Sequence, residues 1–203
     1  GRGPLRAVAD GMGGHRAGAI AAKMTVDQLY LFYQFPGRGF QPKKTLERLL
    51  RSASQAVRDL GDTSEAHRRM GATVSTLLFD CSMRHFLMAQ VGDSPAFHFR
   101  GDEVRFFLAP HFEPKTGHLL ARIGMRGNLP IYITTGEVEP GDRFVLCTDG
   151  VFTAMENEDF RAVMKPSQPA SSGLEEVMKT IQSRGMDNGT LVVADVLPNP
   201  DVP

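Results

Sequence analysis

The sequence has 203 residues, which suits a single domain, and its 23 lysines and arginines balance 23 aspartates and glutamates. This balance argues against a protein that binds nucleic acid through bulk positive charge. Hydrophobic residues make up 41% of the chain, enough for a packed core, yet no apolar run approaches the ~20 residues that span a bilayer. We therefore predict one globular domain over residues 1–203, with no nucleic acid partner and no membrane insertion.

The cysteines and the start of the sequence bear on location. Cys81 follows an apolar strand pattern and Cys147 lies inside one, which favours buried free thiols of a reducing compartment over a disulfide. No basic and apolar leader opens the sequence. We expect a cytoplasmic protein.

The first part of the chain predicts a strand and two helices. Residues 5–9 suit a short buried strand that ends at Asp10, and the glycine-rich residues 11–14 suit a turn. Apolar spacing then predicts a helix from Arg16 to about Tyr33 and, after a loop, an amphipathic helix from Lys43 to Leu60.

Strands dominate the rest of the chain. Alternating patterns bounded by turn residues predict strands over residues 73–80, 84–91, 96–100, 104–108, 131–135, 143–148 and 190–196. Short helices are predicted over residues 118–123, 159–164 and 174–183. Because most strands follow one another directly, the sheets should be mostly antiparallel, and the early and late helices could each cover one sheet. The pattern predicts an α+β fold.

Four aspartates stand where a predicted strand begins or ends: Asp10, Asp93, Asp149 and Asp187. Clustered carboxylates repel one another unless a cation lies between them, and Mg²⁺ or Mn²⁺ prefers such oxygen ligands. Gly11 has no side chain, so its carbonyl can approach a metal closely. An ordinary turn is the alternative, and for one Asp-Gly pair alone it is the simpler interpretation. Around Asp10 the run DGMGGH exceeds what a turn requires, which favours a functional site.

Five short segments carry more specific information. They are VADGMGGHRAG at residues 8–18, GATVSTLLFD at 71–80, AQVGDSPAFHFR at 89–100, RFVLCTDGVFTAM at 143–155 and MDNGTLVVADV at 186–196. In this order they resemble the signature segments of the PPM family, the type 2C serine/threonine protein phosphatases. The first segment resembles the bacterial members in particular.

This resemblance implies a fold and a site. The family fold is a four-layer αββα sandwich, in which two antiparallel β-sheets are flanked by helix pairs. By resemblance, Asp10 would bridge two Mn²⁺ or Mg²⁺ ions, the Gly11 carbonyl would bind one of them, and Asp149 and Asp187 would ligate the other. Asp93, with Asp149, would form a weaker third metal site. The ions would activate a water that hydrolyses phosphoserine and phosphothreonine, so Asp10, Asp149 and Asp187 would be catalytic through that water.

Partners and a possible further catalytic group follow from the same resemblance. The substrates would be phosphoserine and phosphothreonine proteins, and a cognate serine/threonine kinase would be the opposing enzyme. We expect a monomer. His15 could help to bind or protonate the leaving group, although a structural histidine at a helix start is the simpler interpretation. Surface or packing positions are expected for His67, His85, His98 and His118.

The sequence departs from the family pattern in three places. Relatives carry a further segment before DGMGGH, with a substrate-binding arginine and an acidic pair, and we expect residues 1–203 to lack that N-terminal strand segment. Pro95 stands where relatives have arginine. Residues 109–127 are short compared with the family's flap, and His111 lacks the acid that precedes the equivalent histidine.

Two other functions stay open. An inactive or weak pseudophosphatase would use this fold to bind a partner or phosphopeptide; the missing arginine and acid favour it, whereas four clustered acids disfavour it. A regulatory phosphatase of sporulation or stress response would act on a small anti-sigma antagonist. The histidine after the two glycines resembles the general bacterial group more closely.

Overall fold

The computed structural model describes residues 3–31, 41–107, 113, 116, 119–184 and 187–198. Within these ranges, eight strands and five α-helices alternate with short turns. The strands are β1 (Leu5–Met12), β2 (Gly71–Phe79), β3 (His85–Val91), β4 (Ala96–Arg100), β5 (Glu103–Phe107), β6 (Tyr132–Glu137), β7 (Arg143–Cys147) and β8 (Leu191–Asp195). The helices are α1 (His15–Tyr30), α2 (Pro42–Gly61), α3 (Gly150–Ala154), α4 (Asn157–Val163) and α5 (Ala170–Arg184).

The strands form two antiparallel sheets of four strands each. The order is β1-β2-β3-β6 in the first sheet and β5-β4-β7-β8 in the second. Helices α1 and α2 pack on the outer face of the first sheet, and α3, α4 and α5 lie on the side of the second. This arrangement confirms the predicted α+β fold with its αββα sandwich of two antiparallel sheets.

Side-chain alternation along the strands separates the layers. In β2, Val74 and Leu78 face the helices, whereas Leu77 and Phe79 face the second sheet and meet Phe144. The stripe predicted on α2 is buried as expected, at Leu46, Leu49, Leu50, Ala53 and Val57. Apolar packing therefore fills all three interfaces between layers.

Some sequence predictions differ from the structure. β1 runs past Asp10 to Met12, because Gly11 and Met12 still pair with β2. The helix predicted over residues 118–123 is wrong for residues 119–123, which the structure describes and which are not helical. Ile123 instead exchanges backbone hydrogen bonds with Ala72 (3.2 and 2.8 Å). The five-residue α3 was missed because it directly follows a buried strand.

The remaining predictions concern the cysteines and segments with partial description. Cys147 is buried as predicted, but Cys81 is exposed, since it follows β2 in the turn before β3. The predicted end of the first helix at Tyr33, and His111 and His118 in the shortened flap, lie outside the described residues. None of the described helices is both long enough and apolar enough to span a membrane.

Candidate functional site

Asp10 lies at one edge of the sandwich and faces the second sheet. It pairs across the strands with Thr73 of β2. Val8, two residues earlier, packs between the sheets, so the alternation of β1 turns Asp10 to the same face. The strand thus carries an acidic side chain to the rim of the interface, where apolar packing ends.

Asp93 is held beside this rim by a buried polar clamp. The Gln90 amide donates hydrogen bonds to the carbonyls of Gly92 (3.1 Å) and Ser94 (3.0 Å), on either side of Asp93. From β2, Ser75 donates to the Ser94 carbonyl and the hydroxyl of Thr73 contacts that of Ser94. The loop that presents Asp93 is therefore fixed from two neighbouring strands.

Asp149 and Asp187 come from two loops of the second sheet that touch. The Thr148 amide donates to the Thr190 carbonyl, and the Thr190 amide donates to the Thr148 hydroxyl, both at 3.0 Å. A Cβ on Gly150 would lie 2.2 Å from the Asn188 carbonyl oxygen, so only glycine permits this approach. These contacts place Asp149 and Asp187 at one end of the sheet.

The carboxylates interact strongly. Burial, a hydrogen bond to Asp149 and the charges of Asp149 and Asp187 raise the pKa of Asp10 to about 6, against a smaller lowering by the Gly11 amide. Burial, and then the charge of Asp149, raise the pKa of Asp93. None of the ion pairs seen among the described residues involves one of these four aspartates. Among those pairs, therefore, no Lys, Arg or His side chain compensates the negative charge of this edge.

The donor set fits a hard divalent cation. Carboxylate and carbonyl oxygens are the ligands that Mg²⁺ and Mn²⁺ prefer, and mutual repulsion of the carboxylates is what such an ion would relieve. Asp10 and Asp149 interact directly. Asp187 lies near Asp10, and Asp93 lies near Asp149. In the described part of the chain, no three His, Cys, Asp or Glu side chains converge closely enough to enclose an ion by themselves.

Gly11 is positioned by a second close contact. A Cβ on Gly18 of α1 would lie 2.6 Å from the Gly11 carbonyl oxygen, and a Cβ on Gly11 would lie 2.0 Å from the Gly18 oxygen. The helix therefore rests directly on the strand backbone. His15 begins α1, three residues after β1 ends, so the backbone brings it to the same edge.

Sequence reasoning missed the residues that hold the aspartates. Thr73, Ser75 and Gln90 are buried polar residues in otherwise apolar strands, and that contrast was the available signal. Conversely, His98 is buried far from this edge, on Phe144 and 3.0 Å from Asp142, which agrees with the expected packing position. Burial lowers its pKa, and the facing Asp142 raises it less.

Comparison with known proteins agrees with this architecture. The family model described as Stage II sporulation protein E (SpoIIE) matches residues 5–197. Serine/threonine protein phosphatase PstP of Mycobacterium tuberculosis is 26% identical over 95% of this chain, which spans only 40% of PstP. Protein phosphatase PhpP of Streptococcus pneumoniae is 25% identical, with 93% of this chain and 84% of PhpP covered.

A solved structure supports the fold directly. The PstP catalytic domain in complex with two manganese ions superposes with a TM-score of 0.81 at 24% identity, covering 96% of this chain and 88% of that one. Fold, order of the acidic segments and sequence matches together define a bacterial PPM-type phosphatase domain. The chain belongs to the SpoIIE family.

Proposed function

We propose that this domain removes phosphate from phosphoserine and phosphothreonine in proteins and that it requires Mn²⁺ or Mg²⁺. The observation that carries the proposal is the pairing of Asp10, from the first sheet, with Asp149, from the second. One strand from each sheet brings two like charges together, which costs stability unless a cation compensates them. A divalent cation bound at these aspartates can in turn bind an anionic substrate such as a phosphoryl group.

The residues at the edge have distinct parts in this proposal. Asp10 and the Gly11 carbonyl would hold one ion, Asp10, Asp149 and Asp187 would hold the second, and Asp93 with Asp149 would hold a weaker third. A divalent ion there supplies Lewis-acid stabilisation of phosphoryl oxygens and makes water easier to ionise. The chain itself supplies rigid placement: strand pairing, the Gln90 clamp and the Gly18 contact hold the ligands in position.

The same edge argues against a purely binding function. A module that only captures phosphopeptides has no use for four aspartates at its binding edge, because they repel phosphate, and here two of the four have raised pKa values. The relatives PstP and PhpP, named as protein phosphatases, support the enzymatic proposal. A cognate kinase, a monomeric state and a cytoplasmic location stay predictions from the sequence.

The test is release of phosphate from a phosphothreonine peptide, with and without millimolar Mn²⁺. We expect turnover that requires Mn²⁺, and we expect Asp149→Asn to remove nearly all of it. Asp159→Asn, an exposed aspartate on α4, is the matched control and should keep wild-type activity. No turnover by a folded wild-type chain with Mn²⁺ would refute the enzymatic proposal and favour the pseudophosphatase.

The family description, Stage II sporulation protein E, favours the alternative of a regulatory phosphatase of sporulation, for which the proposed substrate is a phosphorylated anti-sigma antagonist. The two classes are distinguished by comparing kcat/KM for a folded phosphoprotein of that kind with kcat/KM for a peptide that carries the same phosphosite. A higher kcat/KM for the folded phosphoprotein supports the regulatory function. Equal rates support the general phosphatase.

A further inference from the structure

Arg122 occupies a specific place beside β2. β3 pairs with β2 only as far as Val91 opposite Val74, and the segment around Ile123 takes its place next to Ala72. Ile123 and Ala72 exchange both backbone hydrogen bonds, as in an antiparallel pair. In such a pair the residue before Ile123 stands opposite the residue after Ala72. Arg122 is therefore opposite Thr73.

This position puts Arg122 in line with Asp10. Asp10 and Thr73 are direct partners across β1 and β2, so the three residues form one row over neighbouring chain segments. With strands about 4.8 Å apart, the backbones of Asp10 and Arg122 are separated by about 10 Å. Residues directly opposite each other share a face, and the face of Thr73 is the one turned to the second sheet.

The course of the side chain agrees with this placement. The Arg122 Cδ lies 2.7 Å from the point that a Cβ of Gly71 would occupy, and Nε lies 3.1 Å from it. Gly71 is two residues before Thr73, so that point is on the same face of β2. The absence of a side chain at Gly71 thus leaves the space beside β2 that the Arg122 side chain occupies, on the face that also carries Asp10.

The Nε of Arg122 is buried and makes no hydrogen bond among the described residues, which is costly for a charged donor. Three other arginines near this segment are bonded: Arg51 to the Leu129 carbonyl at 3.1 Å, Arg58 to the Met125 carbonyl at 2.8 Å, and Arg126 to Asp62 at 2.6 Å. Packing alone therefore does not account for Arg122.

We propose that Arg122 is a substrate-binding residue, whose guanidinium binds the phosphoryl group of the phosphoserine or phosphothreonine side chain at this edge. The inference rests on the proposed function. A guanidinium presents a planar fork of N–H donors that matches phosphoryl oxygens, and a desolvated arginine is suited to such pairs. The four aspartates repel a phosphate, so a cationic donor on the same face is what an anionic substrate needs besides metal ions.

The test compares wild type, Arg122→Gln, Arg122→Lys and Arg126→Ala, all in the presence of Mn²⁺. Orthophosphate affinity is measured by calorimetry, and KM and kcat are measured on a phosphothreonine peptide. We expect Arg122→Gln to weaken orthophosphate binding and raise KM by about tenfold or more. Arg122→Lys should lie between, because its charge remains but the fork is lost. Arg126→Ala removes an exposed side chain four residues further along the chain and should match wild type.

A structural role would give a different pattern. If folded Arg122→Gln melts at a lower temperature but binds orthophosphate as wild type does, the proposal is overturned. Should that variant not fold, unchanged orthophosphate affinity in Arg122→Lys overturns it equally. A wild type that binds orthophosphate through Arg122 but does not dephosphorylate the peptide refutes the proposed function while supporting this site.

Discussion

Asp10 and Asp149 lie within hydrogen-bonding reach of each other, although Asp10 lies on a strand of the first sheet and Asp149 follows a strand of the second. Elsewhere the two sheets meet through apolar side chains such as Val8, Phe144 and Leu146. At this edge they meet through two carboxylates, and burial together with Asp149 raises the pKa of Asp10 to about 6. Near neutral pH, a proton or a cation therefore stabilises the contact.

The first prediction concerns the pH dependence of the metal-free chain. Asp10 has a folded pKa of about 6 against the ordinary 3.8, so the protonated form favours the folded state. That contribution is complete below pH 3.8 and is lost as the pH rises through 6. Asp10→Asn should therefore raise the free energy of unfolding at pH 8 by about 1 kcal/mol, a value reduced for partial exposure. It should change it little at pH 4.

Urea denaturation in the presence of a chelator measures this effect. Glu175→Gln, an exposed carboxylate on α5, serves as the control and should change stability little at either pH. A loss of stability in Asp10→Asn at pH 8 would contradict the account, because it would mean that Asp10 has a favourable partner in the metal-free chain.

The second prediction concerns the contact between α1 and β1. In Gly18→Ala the new Cβ would lie 2.6 Å from the Gly11 carbonyl oxygen, so the helix or the carbonyl must shift. We expect a loss of about 1–3 kcal/mol in stability and a higher Mn²⁺ concentration for half-maximal activity. In the control, Gly61→Ala at the end of α2, the nearest atom lies 3.3 Å away. An unchanged Mn²⁺ requirement in Gly18→Ala would show that the Gly11 carbonyl is not a ligand.

The third prediction concerns the clamp around Asp93. Gln90→Leu keeps the size of the side chain but removes its hydrogen bonds to the Gly92 and Ser94 carbonyls. We expect a loss of about 1–3 kcal/mol in stability and reduced activity at low Mn²⁺ that recovers at high Mn²⁺. Gln55→Leu on the exposed face of α2 is the control. If the dependence of activity on Mn²⁺ stays as in wild type, the clamp serves stability alone.

The fourth prediction concerns the opposite end of the sandwich. Buried Asp142 accepts two hydrogen bonds from Arg100 (2.8 and 2.9 Å) and one from the Glu139 amide (2.8 Å). Burial raises the pKa of Asp142, but Arg100, the Glu139 amide and His98 outweigh it and lower the pKa. Its contribution to stability is present above pH 3.8 and is lost as the pH falls further.

Asp142→Asn should accordingly cost about 2–4 kcal/mol at pH 7, with kcat/KM unchanged where the variant is folded. Thermal melting at pH 7 and pH 3 checks the loss of stability. Peptide hydrolysis, measured about 20 °C below the melting temperature of the variant, checks that kcat/KM is unchanged. A specific loss of kcat at full folding would show that the two ends of the sandwich are coupled.

Periodicity predicted most of the fold because burial governs it. The apolar stripe of α2 and the alternating side chains of β2 reflect which residues are buried on folding. The structure has both elements within a few residues of the predicted bounds. The segment around Ile123 was predicted as helix because its apolar spacing suits either structure. Its pairing with Ala72, distant in sequence, decided the outcome.

The site was less accessible to sequence reasoning than the fold. The four aspartates were visible because each adjoins a strand, but their pairing depends on how two sheets stack. Gln90 and Arg122 gave no motif: Gln90 is a buried amide that positions a loop, and Arg122 has room beside β2 because Gly71 has no side chain. Such roles follow from three-dimensional contacts and not from spacing.

Anomalous X-ray diffraction from crystals soaked in Mn²⁺ would show directly whether the acidic edge holds metal ions. We expect manganese peaks at the edge between Asp10 and Asp149, bounded by the Gly11 carbonyl and Asp187, and their loss in Asp149→Asn. Ordered crystals with saturating Mn²⁺ but no peak at these residues, or a peak that persists in Asp149→Asn, would contradict it.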